Sequence, residues 1–247
     1  MNEISPPGYG TYLRFASPLA QTRADQIVKR VAATEPETIL DIGCGWGELM
    51  LQLAAACPAA TAIGVDTNRP DIERGRRNAL ERGLSDRVTL VHGPGAEQRT
   101  PADVVLCIGS SHAFGDIPTA LEELKNLVNP GGRLVYADCF WERPPTATDL
   151  GRLWPDASAD EHTDLNGLVT QTVDAGYQPL WIETVNREEW EHLESGHLAD
   201  DAHWLLEHGD SDAAADIRRR HVNHRRQWLE GTRDLLGFAY LTLGTID

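Results

Sequence analysis

One segment constrains this chain more than any other: Thr38-Ile-Leu-Asp41-Ile-Gly43-Cys44-Gly45-Trp46-Gly47-Glu48. A short apolar run, the pattern of a buried strand, passes straight into a loop in which three glycines alternate with other residues. A helix follows over 48–56 and stops before Pro58. Glycine tolerates positive φ and lets backbone approach a ligand closely. In an open α/β sheet, ligands bind beyond the carboxyl ends of the strands, which is where this loop falls. Asp41, the carboxylate just before the loop, suits a cationic ligand.

The rest of the chain repeats the alternation. Helical spacing covers 20–33, 69–82 (closed by Gly83 just past its end) and 117–128, the last ending at the turn Asn129-Pro130-Gly131-Gly132. Apolar strands fall at 61–65, 88–91, 102–108 and 133–138. Continuous apolar strands separated by helices predict a parallel sheet covered on both faces. Residues 140–160, rich in Pro, Thr and Asp with Trp141 and Trp154 embedded, predict a long loop. A helix over 161–175, a strand over 177–184, helices over 187–208 and 211–234, and a strand over 236–243 complete the pattern.

Composition narrows the partners. Hydrophobic residues make up 41% and charged residues 24%, ordinary for a globular protein, and the formal net charge is -16. So acidic a surface repels nucleic-acid phosphates and anionic membranes, and the basic run 218–226 reads as a solvated helix face. No apolar run reaches membrane-spanning length, and the start MNEISPPGYG lacks the pattern of a signal peptide, so the expected location is the cytosol. Cys44, Cys57, Cys107 and Cys139 show no zinc spacing and read as reduced, small apolar residues; no metal site is expected.

Two features decide among nucleotide ligands. A nicotinamide site prefers G-x-G-x-x-G, whereas here the spacing is G-x-G-x-G, with Glu48 in the place of the third glycine. Downstream, Gly64-Val65-Asp66 ends the second strand with an acid able to accept both ribose hydroxyls of an adenosine. Together with Asn129-Pro130-Gly131-Gly132 before the fifth strand and the closing strand 236–243, these motifs resemble the class I methyltransferases that use S-adenosylmethionine (SAM). The resemblance spans nearly the whole chain and speaks to SAM more than to the methyl acceptor.

The resemblance implies a Rossmann-like, seven-stranded, mostly parallel sheet with helices on both faces and a helical cap inserted before the last strand. It divides the chain into an N-terminal lid and helix (1–35), the SAM-binding core (36–184), the cap (185–234) and the final strand (235–247). It also implies roles: Asp41, Gly43, Cys44, Gly45 and Gly47 against the methionine part of SAM, Asp66 on the ribose, and Thr67 and Asn68 beside the adenosine. Pro94 stands where the family often has an adenine-directed acid, which leaves that role to Ala96 or Glu97; Ile108 and Gly109 line the sulfonium end.

The acceptor side is less sharply marked. His112, in the loop after the fourth strand, is either a general base over the methyl group or a loop-stabilising histidine. Asp138 ties down its loop or faces substrate, and Trp141 walls the pocket or covers the core edge. Tyr9, Tyr12 and Phe15 lie in a segment that folds over the cofactor in similar enzymes. Trp190, Glu194 and His197, at i, i+4 and i+7, share a helix face that either closes the substrate pocket or packs as core. The expected function is methylation of an oxygen, nitrogen or carbon of a small molecule, by a monomer or homodimer. The alternatives are a non-catalytic SAM-binding sensor or partner subunit, and a nicotinamide oxidoreductase.

Overall fold

The computed structural model describes residues 7–245; residues 1–6 of the expected lid and 246–247 of the expected last segment lie outside the described residues. The strands are β1 (Thr38–Ile42), β2 (Thr61–Asp66), β3 (Val88–His92), β4 (Ala102–Ile108), β5 (Val128–Trp141), β6 (Tyr177–Thr184) and β7 (Leu236–Thr245). They form one sheet in the order β3-β2-β1-β4-β5-β7-β6, with β7 antiparallel to both its neighbours. From β1 the chain crosses to β2 on one side and later reaches β4 on the other, so the order reverses at β1. That reversal opens a crevice above the carboxyl ends of β1 and β4.

Side-chain alternation explains the layering. Ile39, Val104, Leu106, Val135 and Phe238 face one way and pack under α1 (Gln21–Ala32), α2 (Glu48–Ala56) and α3 (Arg69–Glu81). Leu40, Val105, Cys107, Leu134 and Tyr136 face the other way, under α4 (Ile117–Lys125) and α6 (Leu165–Asp174). Each Val, Leu or Ile so removed from water contributes about 1.5–3 kcal/mol before entropy is set against it. All four cysteines are unpaired thiols.

Several boundaries depart from the periodicity. The helix expected over 117–128 stops at Lys125, and β5 begins already at Val128, taking Asn129-Pro130-Gly131-Gly132 into the strand. A register shift against β4 between Ala102 and Val104 absorbs the turn residues. The expected loop 140–160 contains a one-turn helix, α5 (Ala147–Leu150), whose Thr146 and Asp149 form a reciprocal cap. The helix expected to start at 161 begins at Leu165, where Asp164 caps the Gly167 N–H.

Between β6 and β7 run α7 (Arg187–His208) and α8 (Ala214–Arg226); a π turn and a 3-10 turn replace the rest of the helix expected to reach 234. α8 is bound to α7 by the Arg220–Asp201 pair and by His224, whose Nε2–H donates to Glu194 at 2.6 Å. No helix among the described residues is long and apolar enough to cross a membrane.

The arm before α1 lies between this helical pair and the glycine loop. Arg74 of α3 donates to the Gly10 and Leu13 carbonyls at 2.8 and 2.7 Å, and its guanidinium stacks 3.9 Å from the Trp46 ring centroid. The Trp46 indole N–H donates to the Arg14 carbonyl at 2.6 Å. From the other side, Asp200 accepts the Thr11 N–H, and Glu189 accepts the Ala20 N–H while paired with Arg23. Gly196 is glycine because a Cβ there would sit 2.2 Å from a Leu13 methyl carbon.

Candidate active site

The turn after β1 is set by its own backbone. Gly43 and Cys44 both donate to the Val65 carbonyl, at 2.9 and 3.1 Å, and Gly47 donates to the Cys44 carbonyl at 2.8 Å. Gly43 has φ +66, and a Cβ there would lie 2.1 Å from Ser110 Oγ. Gly45 and Gly47 have φ +53 and +68, a region costly for side-chain-bearing residues. Gly45 N–H donates to Asp66 Oδ2 at 2.8 Å, and the other oxygen of Asp66 accepts from Asn68 N–H at 2.7 Å. The loop is thereby tied to the carboxylate at the end of β2.

Beyond this turn lies a cavity of about 300 Å³. Asp41, Gly43, Cys44, Gly45, Gly47 and Asp66 line its floor, Ile108, Gly109 and His112 its β4 side, and Tyr9 and Phe15 of the arm its opposite wall. Its polar character is one-sided. Asp41 is buried and its side chain has no hydrogen-bond partner among the described residues. Burial, then the nearby Asp66, raise its pKa well above the usual carboxylate range. Asp71, at the start of α3, also lines the cavity and is pushed up to about 6 by burial and by Asp66, against the opposing pull of Arg74. The same causes, burial first and then Asp41 and Asp66, raise the Cys44 thiol, which is inert as a nucleophile in that state.

Such a site attracts positive charge. Its acids are confined in a half-enclosed space, and the loop amides that a pyrophosphate needs are committed to Val65, Asp66 and Cys44. Glu48 at the first turn of α2 adds another carboxylate, held by Arg82 at 2.6 Å and Gln52 at 2.8 Å. The donor set fits the sulfonium and amino groups of the expected nucleoside and opposes a dinucleotide. Asp71 and Arg74 escape the motif; both lie in the first two turns of α3, three residues apart and so on one face, which is the signal that finds them.

Other expected residues fall elsewhere. Thr67 and Asn68 lie on the exposed turn after β2, and Ala96 and Glu97 on the 3-10 turn after β3; none of the four lines the cavity. Tyr12 is exposed on the outer side of the arm, 5.0 Å from the His203 ring. Trp141 does not wall the cavity. It is buried with Leu153 and Leu235, and its indole N–H donates to the Ala159 carbonyl at 2.9 Å. Trp190 packs edge-on against Phe238 at 6.0 Å, away from the cavity. Glu194 is taken by His224, and His197 stacks on Tyr9 at 4.5 Å, touching the site only through that ring. Burial, then His224, lower the pKa of His197, and burial raises that of Tyr9. Asp138 accepts from the Ser111 hydroxyl, from Tyr136 OH at 3.0 Å and from Cys139 N–H at 2.7 Å. It ties the β5 end to the β4 loop.

Comparison with known proteins adds a family. The model of a methyltransferase domain matches residues 33–207. The Escherichia coli protein YjhP is 28% identical over 217 residues, covering 87% of each chain. Its crystal structure superposes with a TM-score of 0.85 at 24% identity, over 95% of this chain and 96% of that one. A SAM-dependent methyltransferase from Geobacter sulfurreducens, solved in complex with S-adenosyl-L-homocysteine, gives a TM-score of 0.85 at 22% identity over 94% of each chain. A probable tocopherol O-methyltransferase of rice is 30% identical over 154 residues, 61% of this chain but only 39% of the rice protein.

Proposed function

Because the chain belongs to the methyltransferase-domain family, we propose that it transfers a methyl group from SAM to a small molecule, with His112 as the general base. The observation that carries this reading is the unpaired, buried Asp41 carboxylate facing a cavity floored by glycine backbone. SAM supplies an already activated methyl group, so the protein's work is to align the nucleophile and exclude water. Asp41 and Asp71 attract the cationic end of the nucleoside, and Asp66 holds the ribose with the lone pairs left over from Gly45 and Asn68. The adenine is assigned to the rim outside the cavity, beside Thr67 and Asn68 after β2 and Ala96 and Glu97 after β3, and the sulfur to Ile108 and Gly109 within it. The complex of the Geobacter relative with the demethylated nucleoside supports SAM as the ligand, and the rice relative's name supports a small acceptor.

His112 sits on the 3-10 turn after β4, exposed at the edge of the cavity and without a side-chain hydrogen bond among the described residues. It is free to take a proton from an arriving nucleophile. Incubation with SAM and a metabolite panel is expected to yield S-adenosyl-L-homocysteine only when an acceptor is present. His112→Ala is expected to lower kcat about 100-fold with nucleoside affinity unchanged. Nucleoside binding without turnover on any acceptor class overturns the enzymatic reading and leaves a sensor. An equal loss of affinity and rate in the variant assigns His112 to structure.

A further inference from the structure

We propose that the acceptor is a small cationic amine, seated in a second cavity that meets the nucleoside cavity at Gly109 and His112. This rests on the reading of the first cavity as the methyl-donor site. The second cavity, of about 520 Å³, opens beyond the ends of β4 and β5 on the α4 and α6 side of the sheet. Gly109 and His112 belong to both walls, so a molecule in one cavity reaches the other past the imidazole.

Its lining selects charge. Asp116, Asp138, Asp160 and Glu161 contribute four carboxylates, with His112 and His162 between them and no lysine or arginine. Three of the acids are held in place: Asp116 caps α4, Asp138 is gripped by Ser111 and Tyr136, and Glu161 accepts from the Trp154 indole N–H and Ser158 N–H. Asp160 has no side-chain partner among the described residues. His162 packs edge-on to Trp141 at 5.0 Å, so the buried tryptophan props this wall. The volume suits a metabolite. An anionic acceptor meets like charge from the buried Asp138 and the exposed Asp116, Asp160 and Glu161, whereas an ammonium ion gains from them.

The cavity on the opposite side of the nucleoside site does not reach His112. A cavity of about 500 Å³ between the arm and α7 touches the first only through Phe15 and Ser17, away from His112. Of the acids facing the arm, Glu189 is spent on Arg23, Asp200 on Thr11 and Glu194 on His224, while Glu188 lines the far cavity without a side-chain partner among the described residues. The helical pair therefore clamps the arm, and the acceptor comes from the α4 and α6 side.

The chemistry balances. The amine enters as its ammonium ion and gives one N–H proton to the His112 imidazole, which passes it to water. The freed lone pair forms the new N–C bond to the methyl group, and the broken S–C pair stays with sulfur. The products are an N-methylammonium ion and a neutral thioether.

The test uses the full chain saturated with S-adenosyl-L-homocysteine and titrated by calorimetry with tyramine, histamine and putrescine, and with 4-hydroxybenzoate as the anionic comparison. The same compounds are tried as acceptors with SAM. At least one amine is expected to bind and be methylated, and 4-hydroxybenzoate to do neither. D160K is expected to weaken amine binding tenfold or more, and the near-isosteric D160N by less, both with unchanged affinity for the thioether nucleoside. E188Q, in the cavity on the far side of the arm, is expected to change nothing. Methylation of 4-hydroxybenzoate, failure of every amine to bind, or loss of amine binding in E188Q but not D160K overturns the proposal. Failure of the wild type to bind the nucleoside sinks the donor-site reading first and this one with it.

Discussion

The glycine turn and the junction of arm and helical pair lie side by side, yet they treat charge in opposite ways. At the junction the acids are matched: Glu189 with Arg23, Asp201 with Arg220, Glu194 with His224. At the turn, Asp41 is buried with no partner and Asp71 is pushed up to about 6. Matched charge builds scaffold, and unmatched buried charge costs stability that only a ligand repays. The difference separates a clamp from a binding site although both are rich in aspartate and glutamate.

The contrast is broken hardest at Gly43. Gly43→Ala puts a methyl group against Ser110 Oγ in a left-handed backbone, so a loss of about 3 kcal/mol of stability and of all nucleoside binding is expected. Denaturant melts and calorimetry read both, and a variant that still binds refutes the cradle. Asp41→Asn is the sharper probe because its two effects have opposite sign. Affinity for S-adenosyl-L-homocysteine is expected to fall about 100-fold. The ligand-free protein is expected to become more stable at pH 7, since a disfavoured charge is gone. Both acids keep protons when folded that the unfolded chain releases near pH 4. Their contribution to stability is therefore largest in acid and declines as pH rises, for Asp71 between about 4 and about 6. Asp71→Asn should flatten that part of the melting profile, and an unchanged profile contradicts the assignment.

Weaker effects belong to the clamp. Arg74→Ala removes two bonds to arm carbonyls and the stacking on Trp46. Stability is expected to drop by about 1–2 kcal/mol and nucleoside affinity about tenfold, with new protease cleavage within 7–20. Glu194→Gln, which weakens only a half-exposed pair with His224, is expected to cost about 0.5 kcal/mol or less. A larger loss there, with lower acceptor affinity, would return this helix face to the substrate.

What the amino-acid order discloses follows how local each feature is. β1, the glycine turn and Asp66 are legible because each depends on neighbouring residues and on one strand-to-strand step. The path of β5 through Asn129-Pro130-Gly131-Gly132 is not, because a shift of register against β4 decides it. Trp141 and Trp190 are ambiguous in sequence for a related reason: an indole serves a pocket or a core equally well, and residues distant in sequence choose. The spacing of Trp190, Glu194 and His197 puts them on one side of α7, but nothing in it foretells that β7, α8 and the arm each cover one of them. The second cavity draws its acids from the cap of α4, from β5 and from the turn at 159–161, which only folding brings together.

The mooring of the arm also bears on speed. Tyr9 and Phe15 stand over the nucleoside cavity, and Arg74 and Trp46 fasten the backbone between them at Gly10, Leu13 and Arg14. The glycine turn is already knit to Val65 and Asp66, so little ordering remains to be done when a nucleoside arrives. Exchange of spent for fresh methyl donor is expected to need this short tether to peel away, which would set a ceiling on turnover independent of the transfer step, readable as a rise in product-release rate when Arg74 is replaced by alanine.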